Sequence, residues 1–146
     1  MNKPPELRLV FTITALVDES LLLERRSTES LDYIPITGGP VRGAVEGEII
    51  PGGGDWCLNR ADDSYEVEAR YLIRTHDDAV IDVVNVGVLR HLPGESGGSE
   101  DMGYFLTTPR FRTAAPQYQW LTRSVFVGRA ATNPSATTID VFEVQS

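Results

Sequence analysis

Between residues 66 and 76 the chain alternates residue by residue. Val67, Ala69, Tyr71, Ile73 and Thr75 fall on one side, and Glu66, Glu68, Arg70 and Arg74 fall mostly on the other. A period of two is the mark of a strand with one face buried and the other wet. The signal recurs. Leu7, Leu9, Phe11, Ile13 and Ala15 alternate with Arg8, Val10, Thr12 and Thr14, and residues 80–89 form an almost continuous β-branched run. His76-Asp77-Asp78 reads as the turn of a hairpin joining residues 66–76 to 80–89. Further strands are expected at 41–50, 104–108, 119–128 and 137–144, punctuated by Pro109, Pro116 and Pro134. Residues 18–30 are polar apart from Leu21-Leu22-Leu23 and have room for one helical turn. Pro51-Gly52-Gly53-Gly54-Asp55 is the strongest breaker, and 93–101 reads as a mobile Gly/Ser/Glu loop.

Seven or eight strands with Gly/Pro turns, and no amphipathic pattern long enough for a substantial helix, mean an antiparallel barrel or sandwich. The absence of βαβ alternation excludes doubly wound folds. At 146 residues and 41% apolar content, the chain makes one domain, 1–146, with a core that needs no disulfide or metal staple. Polar groups interrupt faces that would turn inward. Asn85 shares a side with Ile81, Val83, Gly87 and Leu89, and Thr122 and Ser124 share one with Trp120 and Phe126. A barrel of about eight strands around a ligand cavity accommodates such residues better than a solid core does.

Thirteen Lys and Arg against 21 Asp and Glu leave a net charge of −8, which excludes the basic face that nucleic acids and anionic membranes require. No apolar stretch approaches the ~18 residues of a membrane span. Met1-Asn2-Lys3-Pro4-Pro5 has prolines where a signal peptide would carry its basic start and apolar run, and the lone Cys57 cannot form an internal disulfide. A cytoplasmic protein is expected. The glycine clusters at 38–39 and 52–54 lack the helix N-terminus and Lys of a phosphate loop. His76, His91 and Cys57 lack metal-ligand spacing, and no nucleophile elbow is present. The chain carries no cofactor fingerprint, so neither a metal nor a cofactor is expected.

The segments Pro35-Ile36-Thr37-Gly38-Gly39, Pro51-Gly52-Gly53-Gly54-Asp55-Trp56, Ala69-Arg70-Tyr71 with Thr75, and Asn85-Val86-Gly87 occur in that order. Tyr104-Phe105, Pro109-Arg110-Phe111, Tyr118-Gln119-Trp120-Leu121 and Phe126-Val127-Gly128 follow them. This series resembles the DUF3237 (UPF0311) family over residues 33–144. The resemblance implies a small antiparallel barrel, grouped with allene-oxide-cyclase-like barrels, whose interior can hold a small molecule. Two positions depart from the family pattern: Arg112 stands where an acidic residue is usual, and Thr122 where an Asn is usual.

The candidate site follows from chemistry and from that resemblance. Asp55, beside the indole of Trp56, is either an acid/base whose pKa is raised by a low local dielectric or a residue capping the glycine turn. Tyr71 points inward by the alternation, and its hydroxyl serves either a ligand oxygen or a backbone carbonyl. Arg70 points the other way, unless the register is inverted. Asn85 either satisfies a backbone gap beside Gly87 or contacts a ligand, since an unpaired buried amide costs roughly 1–3 kcal/mol. Asp55, Tyr71 and Asn85 are therefore the catalytic candidates. Trp56, Arg70, Tyr104, Phe111, Trp120, Thr122 and Phe126 are the ligand-binding candidates. The expected activity is cofactor-independent isomerisation, cyclisation, elimination or hydration of a small organic molecule. A non-catalytic carrier or sensor would have nearly the same sequence. A Val-rich flank admits a homo-oligomer.

Overall fold

The computed structural model describes residues 2–146. Ten strands follow in chain order: β1 (Glu6–Val17), β2 (Leu21–Arg25), β3 (Ser30–Gly38), β4 (Pro40–Gly43), β5 (Gly47–Asn59), β6 (Tyr65–Thr75), β7 (Val80–Arg90), β8 (Tyr104–Arg112), β9 (Phe126–Thr132) and β10 (Ala136–Gln145). The helical content is two 3₁₀ segments, Ser99–Asp101 and Pro116–Thr122. Neighbouring strands pair antiparallel, and β10 pairs with β1 to close the sheet into a barrel. β3 and β4 are successive parts of one wall position between β5 and β1, while β2 pairs with β3 as an outer flap. The closed wall thus has eight staves, as the strand spacing predicts. No helix among the described residues is long and apolar enough to cross a membrane.

Local departures from simple alternation shape this wall. In β1, the pairing with β10 shifts between Leu9 and Phe11. That one-residue bulge reverses the inward face, so Phe11, Ile13 and Ala15 are buried while Leu7 and Leu9 turn out to solvent. The glycine cluster is not a turn. β5 runs through it, and its register against β6 slips by two residues between Ile50 and Gly54. Gly52 takes a φ of +121°, and a Cβ on Gly53 would stand 2.6 Å from the Tyr71 Cβ. A side chain on Gly54 would collide with the Tyr33 ring, whose hydroxyl donates to the Gly53 carbonyl at 3.2 Å. These glycines therefore form a bulge that lets two tyrosines close in on β5. Because the slip is even, Asp55 keeps the inward face of Ile49.

Two further expectations are corrected. Leu21, Leu22 and Leu23 belong to a strand, not a helical turn. Residues 116–122 form a 3₁₀ segment, so Trp120 and Thr122 share no strand face with Phe126. Proline at the start favours that segment. The Gln119 side-chain amide donates to the Thr113 carbonyl at 2.8 Å and the Ala115 carbonyl at 3.1 Å, and the Thr122 hydroxyl donates to Gln119 at 2.8 Å. The β6–β7 hairpin forms in the expected place, its turn residue Asp78 at φ +66°. The main core gathers Phe11, Ile13, Val41, Val45, Ile73, Ile81, Val83 and Phe111 with Leu121 and Phe126, and a smaller cluster holds Val67, Leu89 and Phe105.

Candidate functional site

Cross-strand register lines up the inward residues in rungs. Tyr71 faces Val83, which faces Phe111. One rung further along, Asp55 faces Ala69, which faces Asn85. The next rung runs from Cys57 through Val67 and Gly87 to Thr107 and Gly128. The small residues in the last two rungs leave an interior cavity of about 320 Å³, with Asp55, Tyr71, Asn85 and Thr107 in its wall. Ala15, Ile34, Ile36, Val67 and Phe105 give it apolar sides. The β1–β2 turn (Asp18, Glu19, Ser20), the β9–β10 turn (Asn133, Pro134) and Ser99 surround its rim. Inside the rim, the Thr132 and Thr137 hydroxyls lie 3.0 Å apart.

Three buried polar atoms in this wall have no protein partner: the Tyr71 hydroxyl, the Asn85 Oδ1 and the Thr107 Oγ1. Their residues are 3%, 4% and 3% exposed. Buried polar groups are nearly always paired, so three orphans on one cavity mark a place prepared for polar contacts. The fourth orphan, His91 Nε2, lies away from the cavity, beside a surface hollow with Arg60 and Arg90.

Asp55 adds an acid. One carboxylate oxygen accepts the Glu68 N–H at 2.9 Å, so the residue is held by a backbone bond across the strand pair. Burial pushes its pKa up to about 6, the Glu68 N–H opposes that, and the Glu68 charge adds to it. The carboxyl can therefore give or take a proton near neutral pH. Burial, with the Asp55 charge nearby, raises the Tyr71 hydroxyl far above the usual tyrosine range, so it stays a neutral donor. Burial pushes the Cys57 thiol up to about 12, helped by Asp55 and then Asp32, so this cysteine remains an unreactive thiol. Among the described residues, no group of three or more His, Cys, Asp or Glu side chains is placed to hold a metal ion.

The structure thus brings Asp55, Tyr71 and Asn85 together and disperses the other candidates. Trp56 and Tyr104 lie on the outer wall, in a groove of about 680 Å³ with Leu58, Val86 and Leu106. Trp56 packs edge-on against Tyr33, and Tyr104 lies under the Arg90 guanidinium at 4.0 Å. Arg70 also points outward, in the register that the alternation favours, and meets Asp82 at 3.5 Å. Phe111, Trp120 and Phe126 pack with Phe11 in the other half of the barrel, with centroid separations of 5.2 to 6.4 Å. Phe111, Phe126 and the exposed Thr122 also border a groove between β8 and residues 119–125. Arg112, on the outer wall beside Asp82, does not reach the interior. None of these seven ligand-binding candidates lines the cavity. Sequence reading missed Thr107. The inward period Phe105, Thr107, Pro109, Phe111 along β8 would have pointed to it, had the strand been carried to Arg112.

A model of the family described as "Protein of unknown function (DUF3237)" matches residues 5–144. A UPF0311 protein of Rhodopseudomonas palustris is 38% identical over 99% of both chains. A solved structure of a protein of unknown function from that organism superposes with a TM-score of 0.88, at 36% identity and covering 98% of this chain and 99% of that one. One from Clostridium acetobutylicum reaches a TM-score of 0.90 at 30% identity, covering 99% and 100%. An enzyme from Penicillium herquei shares the fold at a TM-score of 0.77 with 19% identity, covering 99% and 98%. With a family match along nearly its whole length and relatives above 30% identity over the same span, the chain belongs to the DUF3237 (UPF0311) family.

Proposed function

We propose that the protein is a cofactor-independent enzyme that holds a small organic metabolite inside the barrel and moves a proton on it by side-chain acid–base chemistry. One observation carries this reading: an inward carboxyl whose pKa is displaced toward neutrality shares a cavity with three unpartnered buried polar atoms. In such a step the Asp55 carboxylate takes a proton from a carbon next to a substrate carbonyl. The electron pair moves onto the carbonyl oxygen, where the Tyr71 hydroxyl donates to it, while the Asn85 Oδ1 accepts from an O–H or N–H elsewhere on the substrate. The Asp55 carboxyl then returns the proton to a different atom, giving an isomerised or cyclised product with no co-reactant. The fold itself lends little weight. The Penicillium herquei protein is described as an enzyme, but function resides in sites rather than in barrels.

The second reading is a carrier or sensor of a small apolar ligand. It is favoured by the Glu68 N–H bond to Asp55, which gives that carboxylate a structural task independent of chemistry. A thermal-shift screen of small aromatic, enone and lactone compounds, followed by mass spectrometry of each hit, separates the two. Under the enzyme reading, the wild type converts a hit, while Asp55→Asn binds it and turns it over about 10²–10⁴-fold more slowly. Equal binding by both proteins with no conversion by either assigns the protein as a carrier. Either activity is consistent with the cytoplasmic location expected from the lone cysteine.

A further inference from the structure

The carboxylates around the cavity are Asp18, Glu19 and Asp55, and among the described residues no Lys, Arg or His lines it. A cluster of cations, Arg70, Arg110 and Arg112, sits on the outer wall of β6 and β8. A carboxylate or phosphate entering the barrel would give up its hydration and find only like charges. A cation fares better at the rim, where Asp18 and Glu19 are exposed. Deeper in, it would face three neutral groups and one carboxyl that already accepts the Glu68 N–H.

Those neutral groups state what they lack. Asn85 Oδ1 can only accept, so it needs a ligand O–H or N–H. The Tyr71 hydroxyl, kept neutral, has a proton to donate and needs a ligand acceptor, while Thr107 Oγ1 can serve in either direction. At about 320 Å³ the cavity is near the lower end of the ~300–1,000 Å³ typical of ligand sites, which suits one or two fused rings. We infer that the cavity selects an uncharged one- or two-ring ligand carrying both a hydroxyl-type donor and a carbonyl-type acceptor, and rejects carboxylates and phosphates. This rests on the cavity being the working site, as proposed above, but not on its being catalytic.

Four ring-matched probes test it at neutral pH by calorimetry and protein-observed NMR: hydroxyindanone, indanone, indanecarboxylate and aminoindane. Hydroxyindanone is expected to bind about tenfold more tightly than indanone, which lacks the donor. Shifts should centre on Tyr71, Asn85 and Thr107. Indanecarboxylate and aminoindane are expected to be weaker than both. Tyr71→Phe and Thr107→Val should lower hydroxyindanone affinity about tenfold without lowering the melting temperature of the ligand-free protein, because neither hydroxyl has a partner to lose. Tighter binding of the carboxylate or the ammonium compound overturns the inference, as does failure of hydroxyindanone to bind. Turnover is read separately by mass spectrometry. Neutral binding without conversion leaves this selectivity standing and removes the acid–base role. Conversion of an anionic compound does the reverse.

Discussion

Along β6 to β9, the inward side chains become smaller or more polar from the packed half of the barrel to the middle of the cavity wall. β6 passes from Ile73 through Tyr71 to Ala69, and β7 from Ile81 and Val83 to Asn85 and Gly87. β8 goes from Phe111 to Thr107, and β9 from Phe126 to Gly128. In the packed half, Phe11, Phe111, Trp120 and Phe126 interlock, with Ile73, Ile81 and Val83 fully buried beside them. In the other half, a Cβ added to Gly128 would collide with the Thr107 hydroxyl and stand 2.9 Å from Ile139 Cγ2. One half is built for cohesion. The other gives up apolar contacts and leaves hydrogen-bonding capacity unspent, the pattern of a stability–function compromise.

The sharpest way to break this contrast uses one rung. Phe111→Ala should cost about 3–5 kcal/mol in urea denaturation, because it removes a ring from a dense cluster. Tyr71→Phe, in the same rung, should cost nothing or stabilise the ligand-free protein. Similar losses for the two would show that the halves are not energetically distinct.

Asp55→Asn sharpens the contrast through pH. The folded state holds the Asp55 proton up to about pH 6, whereas the unfolded chain releases it near 3.8. Between those values the native state binds more protons, so wild-type stability falls as pH rises across that window. The Asn variant can keep the Glu68 N–H bond and carries no charge. It should match wild type near pH 4 and exceed it by on the order of 2–3 kcal/mol at pH 8. Denaturation curves at both pH values check this, and an advantage that is the same at both would place the cause outside the carboxyl.

Thr107→Val should stabilise the ligand-free protein by about 1 kcal/mol, since it removes an unpaired buried hydroxyl. A loss of that size would mean that the hydroxyl is satisfied by ordered solvent. The smallest effect belongs to the outer wall. Arg70→Ala should change stability by less than about 0.5 kcal/mol, because the arginine in its 3.5 Å ion pair with Asp82 is mostly exposed.

Much of this was legible before folding was considered. The alternation of β6 and the β-branched run of β7 set a hairpin whose inward face includes both Tyr71 and Asn85, because a local period of two needs no knowledge of distant partners. Asp55 was picked out as a carboxylate after glycines and beside an indole, in a segment that resembles the family pattern. Its inward aim depends on an even slip of β5 against β6, which belongs to the pair of strands and not to either alone. The aromatic candidates illustrate the converse. Phe111, Trp120 and Phe126 have the composition of a ligand wall, yet chain closure and the 3₁₀ segment bring them into the opposite half.

The sequence by itself determined the class of fold, the hairpin at its centre and the inward polar residues of that hairpin, through a hydrophobic pattern readable within ten or so residues. Only the tertiary structure decided which half of the barrel is hollow and that Thr107 lines the cavity with Asp55. It also turned Leu7 and Leu9 out to solvent. Those outcomes depend on bulges and registers between strands far apart in the chain, where one or two inserted residues redirect every side chain beyond them.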